Sequence, residues 1–188
     1  MHALDFSPTQ FKPPICQGPT EAVYILQYST WAHHSLAFYR DQQLIEFTYG
    51  DWALFALDQR DIFTAITHML WPTQGALGRK TVLWQPNTPL QPHFTNCIDI
   101  VPFEAEQTKV DKLYHMLCTA FQKQQAKQVF HPHDAVYFVP FHIPYALWSN
   151  CNHVLALWLR ALGGYVTGRL FYQPDLIQGM RPRLNSIT

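Results

Sequence analysis

A cysteine that opens an apolar helix and a histidine that opens a strand are the features of this chain that could do nucleophilic chemistry together. Cys151 lies in Ser149-Asn150-Cys151-Asn152-His153, which runs directly into VLALWLRALGG. Ser149 and Asn150 are N-cap residue types, whose side-chain oxygens accept from the unpaired amides of a first turn. Val154 to Leu162 is apolar almost throughout, so this helix is expected to be buried nearly all round. Gly163 and Gly164 supply its stop. Cys151 therefore falls in the first turn, where free N–H groups and the positive end of the helix dipole favour a thiolate. The same stretch also fits a small apolar residue starting a core helix.

A thiol nucleophile needs a base to take its proton and a third group to orient that base. The base candidate is His34, at the start of an expected strand His34–Tyr39, with the neighbouring His33 as its rival. Arg40-Asp41-Gln42-Gln43 makes a hairpin turn, and Leu44–Thr48 returns. Alternation puts His34, Leu36 and Phe38 on one face, and likewise groups Leu44, Glu46 and Thr48. If the turn is centred on Asp41-Gln42, residues whose numbers sum to about 83 stand opposite. His34 then faces Tyr49, and Glu46 faces Ala37. Glu46 would reach His34 only with a bulge or a longer loop. Asp51, just past the strand's end, is the rival orienter. The Cys151 backbone N–H would stabilise an oxyanion with a second donor, and Asn150, His153 and Tyr145 are the candidates.

These side chains need elements to position them. Residues 1–20 carry four prolines and read as an extended arm. Glu21–Tyr28 is a buried strand, and Lys80–Trp84 and Cys97–Val101 are two short ones. Tyr49-Gly50-Asp51-Trp52 is expected to break the sheet, with a helix from Asp58 or Asp61 to Met69. Gly75 and Gly78 frame a loop. Val110, Leu113, Tyr114, Leu117, Ala120 and Phe121 form a stripe at helical spacing within an amphipathic helix from Glu104 to about Gln125. Prolines at 132, 140 and 144 argue against regular structure throughout the following segment, although Ala135–Val139 fits a strand. A short element near Tyr165 is expected to precede a fraying end. Residues 21–175 then form one domain, followed by a tail over 176–188.

Composition narrows the function classes. The chain has 188 residues, 48% of them hydrophobic, which is enough for a real core in one domain. Thirteen basic residues offset thirteen acidic ones, so a nucleic-acid partner held by phosphate neutralisation is not expected. Cys16, Cys97, Cys118 and Cys151 are widely spaced, which points to free thiols in a reducing compartment. The N-terminal stretch lacks a signal-peptide pattern, and no apolar run is long enough for a membrane span. A cytoplasmic location is the expectation.

Taken together, HSLAFY, Glu46 twelve residues after His34, TYGDW, and the late SNCNHVLALWLRALGG resemble the circularly permuted papain-like thiol proteins. That superfamily includes lecithin:retinol acyltransferase and relatives of the bacterial cell-wall endopeptidases, and its permuted members place the histidine strand first and the cysteine helix last. Closest in pattern is a bacterial group of unknown function with a Trp-His-Ser/Thr strand, a Glu-Phe-Gly-Trp-Gly-Asp stretch and a Cys-Asn-x-Trp box. The resemblance covers roughly residues 21–165. It implies an α+β fold, a small antiparallel sheet packed on a core helix carrying the cysteine. It also implies Cys151 as nucleophile, His34 as base and Glu46 as orienting residue, acting on a peptide, lipid or small-molecule acyl or amide substrate without a cofactor. This chain departs from the pattern in its inserted Ala32 and doubled histidine, in His153 where the closest group has a bulky aromatic, and in Thr48 and Tyr49, which replace a glycine and a tryptophan.

Two other readings use the same residues. A binding or structural module of the same fold would use Trp31, Tyr49, Trp52 and Trp148 to hold an apolar ligand. A metal site would use His131-Pro132-His133-Asp134 with His142 and His153, but His-x-His alone is a weak signal and no metal is expected.

Overall fold

A computed structural model describes residues 10–29, 33–59, 71–85, 88, 94, 96–146 and 148–167. Nine strands and two long helices are described. The strands are β1 (Gln10–Lys12), β2 (Thr20–Tyr28), β3 (His34–Arg40), β4 (Gln43–Asp51), β5 (Thr73–Leu83), β6 (Cys97–Glu106), β7 (Val129–His131), β8 (Val136–Tyr145) and β9 (Tyr165–Thr167). The helices are α1 (Gln107–Lys123) and α2 (Cys151–Ala161). Seven strands form one antiparallel sheet in the order β6-β2-β3-β4-β5-β8-β7, and β1 pairs separately with β9. The class is α+β, with a larger sheet than the sequence led us to expect.

The β3–β4 hairpin fixes the geometry of everything that follows. Asp41 and Gln42 both take left-handed backbone angles, φ 49° and 61°, as a two-residue turn requires even without glycine. The pairs are Leu36 with Phe47, Ala37 with Glu46 and Phe38 with Ile45, so the expected register holds without a bulge. β2 adds Ile25 opposite Leu36 and Gln27 opposite His34. One face of the sheet, called the front here, therefore carries His34, Leu36, Phe38, Phe47, Tyr49 and Asp51. The other face, the back, carries Ser35, Ala37, Glu46 and Thr48.

Both helices cover the front. Val110, Leu113, Leu117 and Phe121 of α1 and Val154, Leu155, Trp158 and Leu159 of α2 bury their side chains against it. Each such leucine or phenylalanine contributes about 1.5–3 kcal/mol by leaving water. Arg40 ties the layers together: it pairs with Glu21 on β2, reaches Asp111 of α1 at 2.7 Å and lies over the Tyr114 ring. The back carries two smaller apolar clusters, one around Leu26, Leu44, Trp84 and Phe94 and one around Ala56, Val136 and Phe138.

Several local expectations change. Strand β4 runs through Tyr49 and Gly50 to Asp51, and a π-helical turn at Trp52–Ala56 ends it instead. Gly75 and Gly78 lie inside β5 because neighbours close in on both. A Cβ at 75 would strike the Ile143 carbonyl and come 2.9 Å from the Tyr49 hydroxyl, and one at 78 would strike Thr48 and meet Phe138 at 2.6 Å. β8 continues through Pro140 and Pro144; β7 pairs with it only as far as Phe138, and an open edge tolerates missing N–H groups. The N-terminal arm contributes β1, with Phe11 buried against Phe103. Asp58 and Gln59 are not helical, and the rest of the helix expected there lies outside the described residues, as does most of the C-terminal tail. No helix among the described residues is long and apolar enough to cross a membrane.

Candidate functional site

Cys151 is the first residue of α2, and Asn150 is its N-cap. The Asn150 side-chain oxygen accepts from the backbone N–H groups of Asn152 and His153 at 3.0 and 3.3 Å. His153 donates from Nδ1 to the same oxygen at 2.9 Å. A neutral imidazole with its proton on Nδ1 has only an acceptor left at Nε2, so His153 in that tautomer is committed to the cap, whereas Asn150 gives the cap its oxygen and keeps an amide NH2 as a donor group. α2 packs on β3 and β4, the strands that carry His34, Tyr49 and Asp51. The histidine strand and the cysteine helix thus meet on the front face.

The thiol does not behave as the helix start alone would dictate. Burial pushes the Cys151 thiol up to about 11, while the backbone amides of Asn152 and of Cys151 itself pull it down less strongly. Desolvation outweighs the helix end here. Cys151 lies close enough to Tyr49 and Tyr145 that a thiolate there would raise both phenols, which burial already lifts above their ordinary value. The two rings stand 5.9 Å apart at centroid. Tyr49 donates to the Ile143 carbonyl at 3.2 Å, whereas the Tyr145 hydroxyl has no hydrogen-bond partner among the described residues. Gly75 leaves the room that the Tyr49 ring fills.

The two carboxylates named from the sequence fall on opposite sides. Asp51 is fully buried on the front, one front-face position beyond Tyr49. It accepts from the Leu54 N–H at 2.9 Å and from the Thr73 hydroxyl. Glu46 is on the back, so it does not stand behind the His34 ring. The register is the reason: an odd sum pairs even positions with odd ones, and a residue twelve after His34 must project the other way. Of the two adjacent imidazoles, His33 also turns to the back, bonded to the Thr48 hydroxyl and 5.2 Å from the Phe55 ring. His34 alone shares the front with Cys151.

On the back, Glu46 is 3% exposed. Its Oε1 accepts from the Tyr28 hydroxyl at 2.7 Å and from Ser35 at 2.5 Å. Burial raises its carboxyl above the usual range, against the pull of those two donors and of Lys80, its cross-strand neighbour. Burial lowers His33 to about 4, helped by the nearby His34. Tyr28 and Ser35 were not singled out from the sequence, and Lys80, whose sequence context reads as a solvated charge, is buried instead, over the Phe94 ring. The signal that could have found them was the Ala37–Glu46 pairing, which places Glu46 beside Ser35 rather than His34.

The histidine-rich segment does not gather. His131 and His133 each approach Asp134, at 3.1 and 2.9 Å, but no group of three metal-type ligands converges among the described residues. His142 points into a different groove. Trp148 is 57% exposed beside the helix start, Trp52 is half-buried, and Trp31 lies outside the described residues. No family model, curated protein or solved structure matches the chain.

Proposed function

We propose that the protein is a cysteine hydrolase or acyl/amide transferase of the permuted papain-like type, with Cys151 as nucleophile and His34 as base. The observation that supports this most is the packing of the helix begun by Cys151 on the sheet face from which His34 projects. Asp51 replaces Glu46 as the carboxylate assigned to that side. Because burial holds the thiol protonated, the mechanism is general-base attack rather than a standing thiolate–imidazolium pair. The Cys151 sulfur bonds to the acyl carbonyl carbon as its proton passes to the imidazole. The oxyanion is met by the Cys151 N–H and the uncommitted Tyr145 hydroxyl. The imidazolium then protonates the leaving alcohol or amine, and water or a second nucleophile releases the acyl group.

A p-nitrophenyl ester series from acetate to octanoate, read by mass spectrometry, tests this. The expected result is a single acyl adduct on Cys151, lost in His34→Ala and slowed in Tyr145→Phe. Adducts spread evenly over Cys16, Cys97, Cys118 and Cys151 would sink the proposal. Iodoacetamide separates the two forms of the base mechanism: alkylation of Cys151 should keep climbing toward pH about 11, whereas a plateau near neutrality would restore the preformed ion pair.

The protonated thiol and the aromatic surroundings favour one second reading, a ligand-binding module of the same fold. It predicts saturable binding of apolar esters with no adduct at all.

A further inference from the structure

Away from the thiol, the outer flank of α1 and the edge of β8 enclose a groove of about 740 Å³. That lies within the size range of small-molecule sites. Its charged lining is of one sign: Lys112, Lys123 and Lys127 line it beside His115, His142 and Gln124, and no carboxylate does. The chain as a whole balances thirteen basic against thirteen acidic residues, so the single sign here is a local arrangement. None of the three lysines has an ion-pair partner among the described residues.

Helix capping accounts for only part of this. Lys123 and Lys127 stand at the carboxyl end of α1, whose unpaired carbonyls they offset. Lys112 is eleven residues earlier, about 16 Å along the axis at helical rise, and serves no such end. The neighbouring edge of β8 is open beyond Phe138 but carries Pro140 and Pro144, which have no N–H to give an added strand. Recognition in this groove falls to side-chain cations and amides, not to backbone pairing.

We propose that the groove binds an extended small oligoanion, with phosphate or carboxylate groups spread between Lys112 and the Lys123–Lys127 pair. A single anionic group is too short to reach both ends. The groove shares no lining residue with the thiol site, so this proposal stands or falls independently of that one.

Calorimetry on the full chain tests it, with sodium tripolyphosphate, citrate and sulfate at matched ionic strength. Tripolyphosphate or citrate should bind in a one-to-one ratio, at least about tenfold more tightly than sulfate, and the preferred one of the two identifies the anionic group. Lys112→Glu and Lys123→Glu should each weaken binding about tenfold. Lys109→Glu, on the same helix but outside the groove, should leave it unchanged, as should Cys151→Ala. All four variants should keep the parent circular-dichroism spectrum. Equal affinity for sulfate and tripolyphosphate, binding undiminished in both Lys112→Glu and Lys123→Glu, or no binding heat for any of the three would overturn the proposal.

Discussion

The front and back of one sheet bury titratable groups in opposite ways. On the back, Glu46 Oε1 takes donors from Tyr28 and Ser35 and His33 Nε2 bonds Thr48, while Glu46 Oε2 and His33 Nδ1 are buried without a hydrogen-bond partner among the described residues. On the front, Cys151 keeps part of its surface, and the Tyr145 hydroxyl beside it is uncommitted. Both faces thus bury polar atoms, and the back ties one atom of each buried titratable group to a neighbouring hydroxyl. Two sets of residues that the spacing of His34 and Glu46 had joined are thus separated: Glu46 lies on the back with Ser35, and His34 lies on the front, where the Cys151 helix packs.

The largest expected effect is on activity. His34→Ala should lower acyl transfer to Cys151 by about 10²–10⁴-fold, the usual worth of a general base, while Glu46→Gln changes it less than about threefold. Equal losses in single-turnover assays would mean that the two faces act as one site. Acid stability comes next. His33 binds a proton less readily folded, at about 4, than unfolded, near 6.5, so its contribution is present above pH 6.5 and lost as pH falls toward 4. That loss is of the order of 3 kcal/mol, read as the shift between urea midpoints at the two ends of the range. Glu46 has the opposite sign: its raised carboxyl favours the fold on the acid side and withdraws that support as pH rises above about 4.5. His33→Gln should therefore flatten the acid loss, and Glu46→Gln should steepen it. The smallest effects sharpen the same division. Tyr28→Phe and Asn150→Ala should each cost about 1 kcal/mol, the first by removing a donor to Glu46 and the second by removing the cap. Only Asn150→Ala should also alter the rate of Cys151 acylation.

Much of this division was legible in the hairpin. A two-residue turn at Asp41-Gln42 sets the pairing, and the pairing alone puts Glu46 with Ala37. The resemblance to permuted thiol proteins drew Glu46 toward His34, and the backbone parity overrode it. The Asn150 cap and the α1 stripe were also readable, because capping and helical periodicity are local signals. The glycines of β5 and the prolines of β8 misled for the converse reason. Gly75 is in a strand because Tyr49 and Ile143 approach it from far along the chain. Pro140 and Pro144 are in one because β7 stops short of them. The height of the thiol had the same kind of cause: a first-turn position predicts a low value, and only packing shows how much water is gone.

The small β1–β9 ladder carries a consequence for synthesis. Among the described residues, Gln10, Phe11 and Lys12 find their strand partners only in Thr167, Val166 and Tyr165. A nascent chain emerging from the ribosome therefore holds β1, the first of the described strands, unmated until almost all of the described sequence has been translated. The helix that presents the sulfur lies immediately before the closing strand, so the clasp joining the two distant ends forms only after that helix has been made. Placement of the Cys151 helix then belongs to a late stage of assembly, and a chain halted ahead of Tyr165 would hold Phe11 by its packing on Phe103 but not by strand pairing.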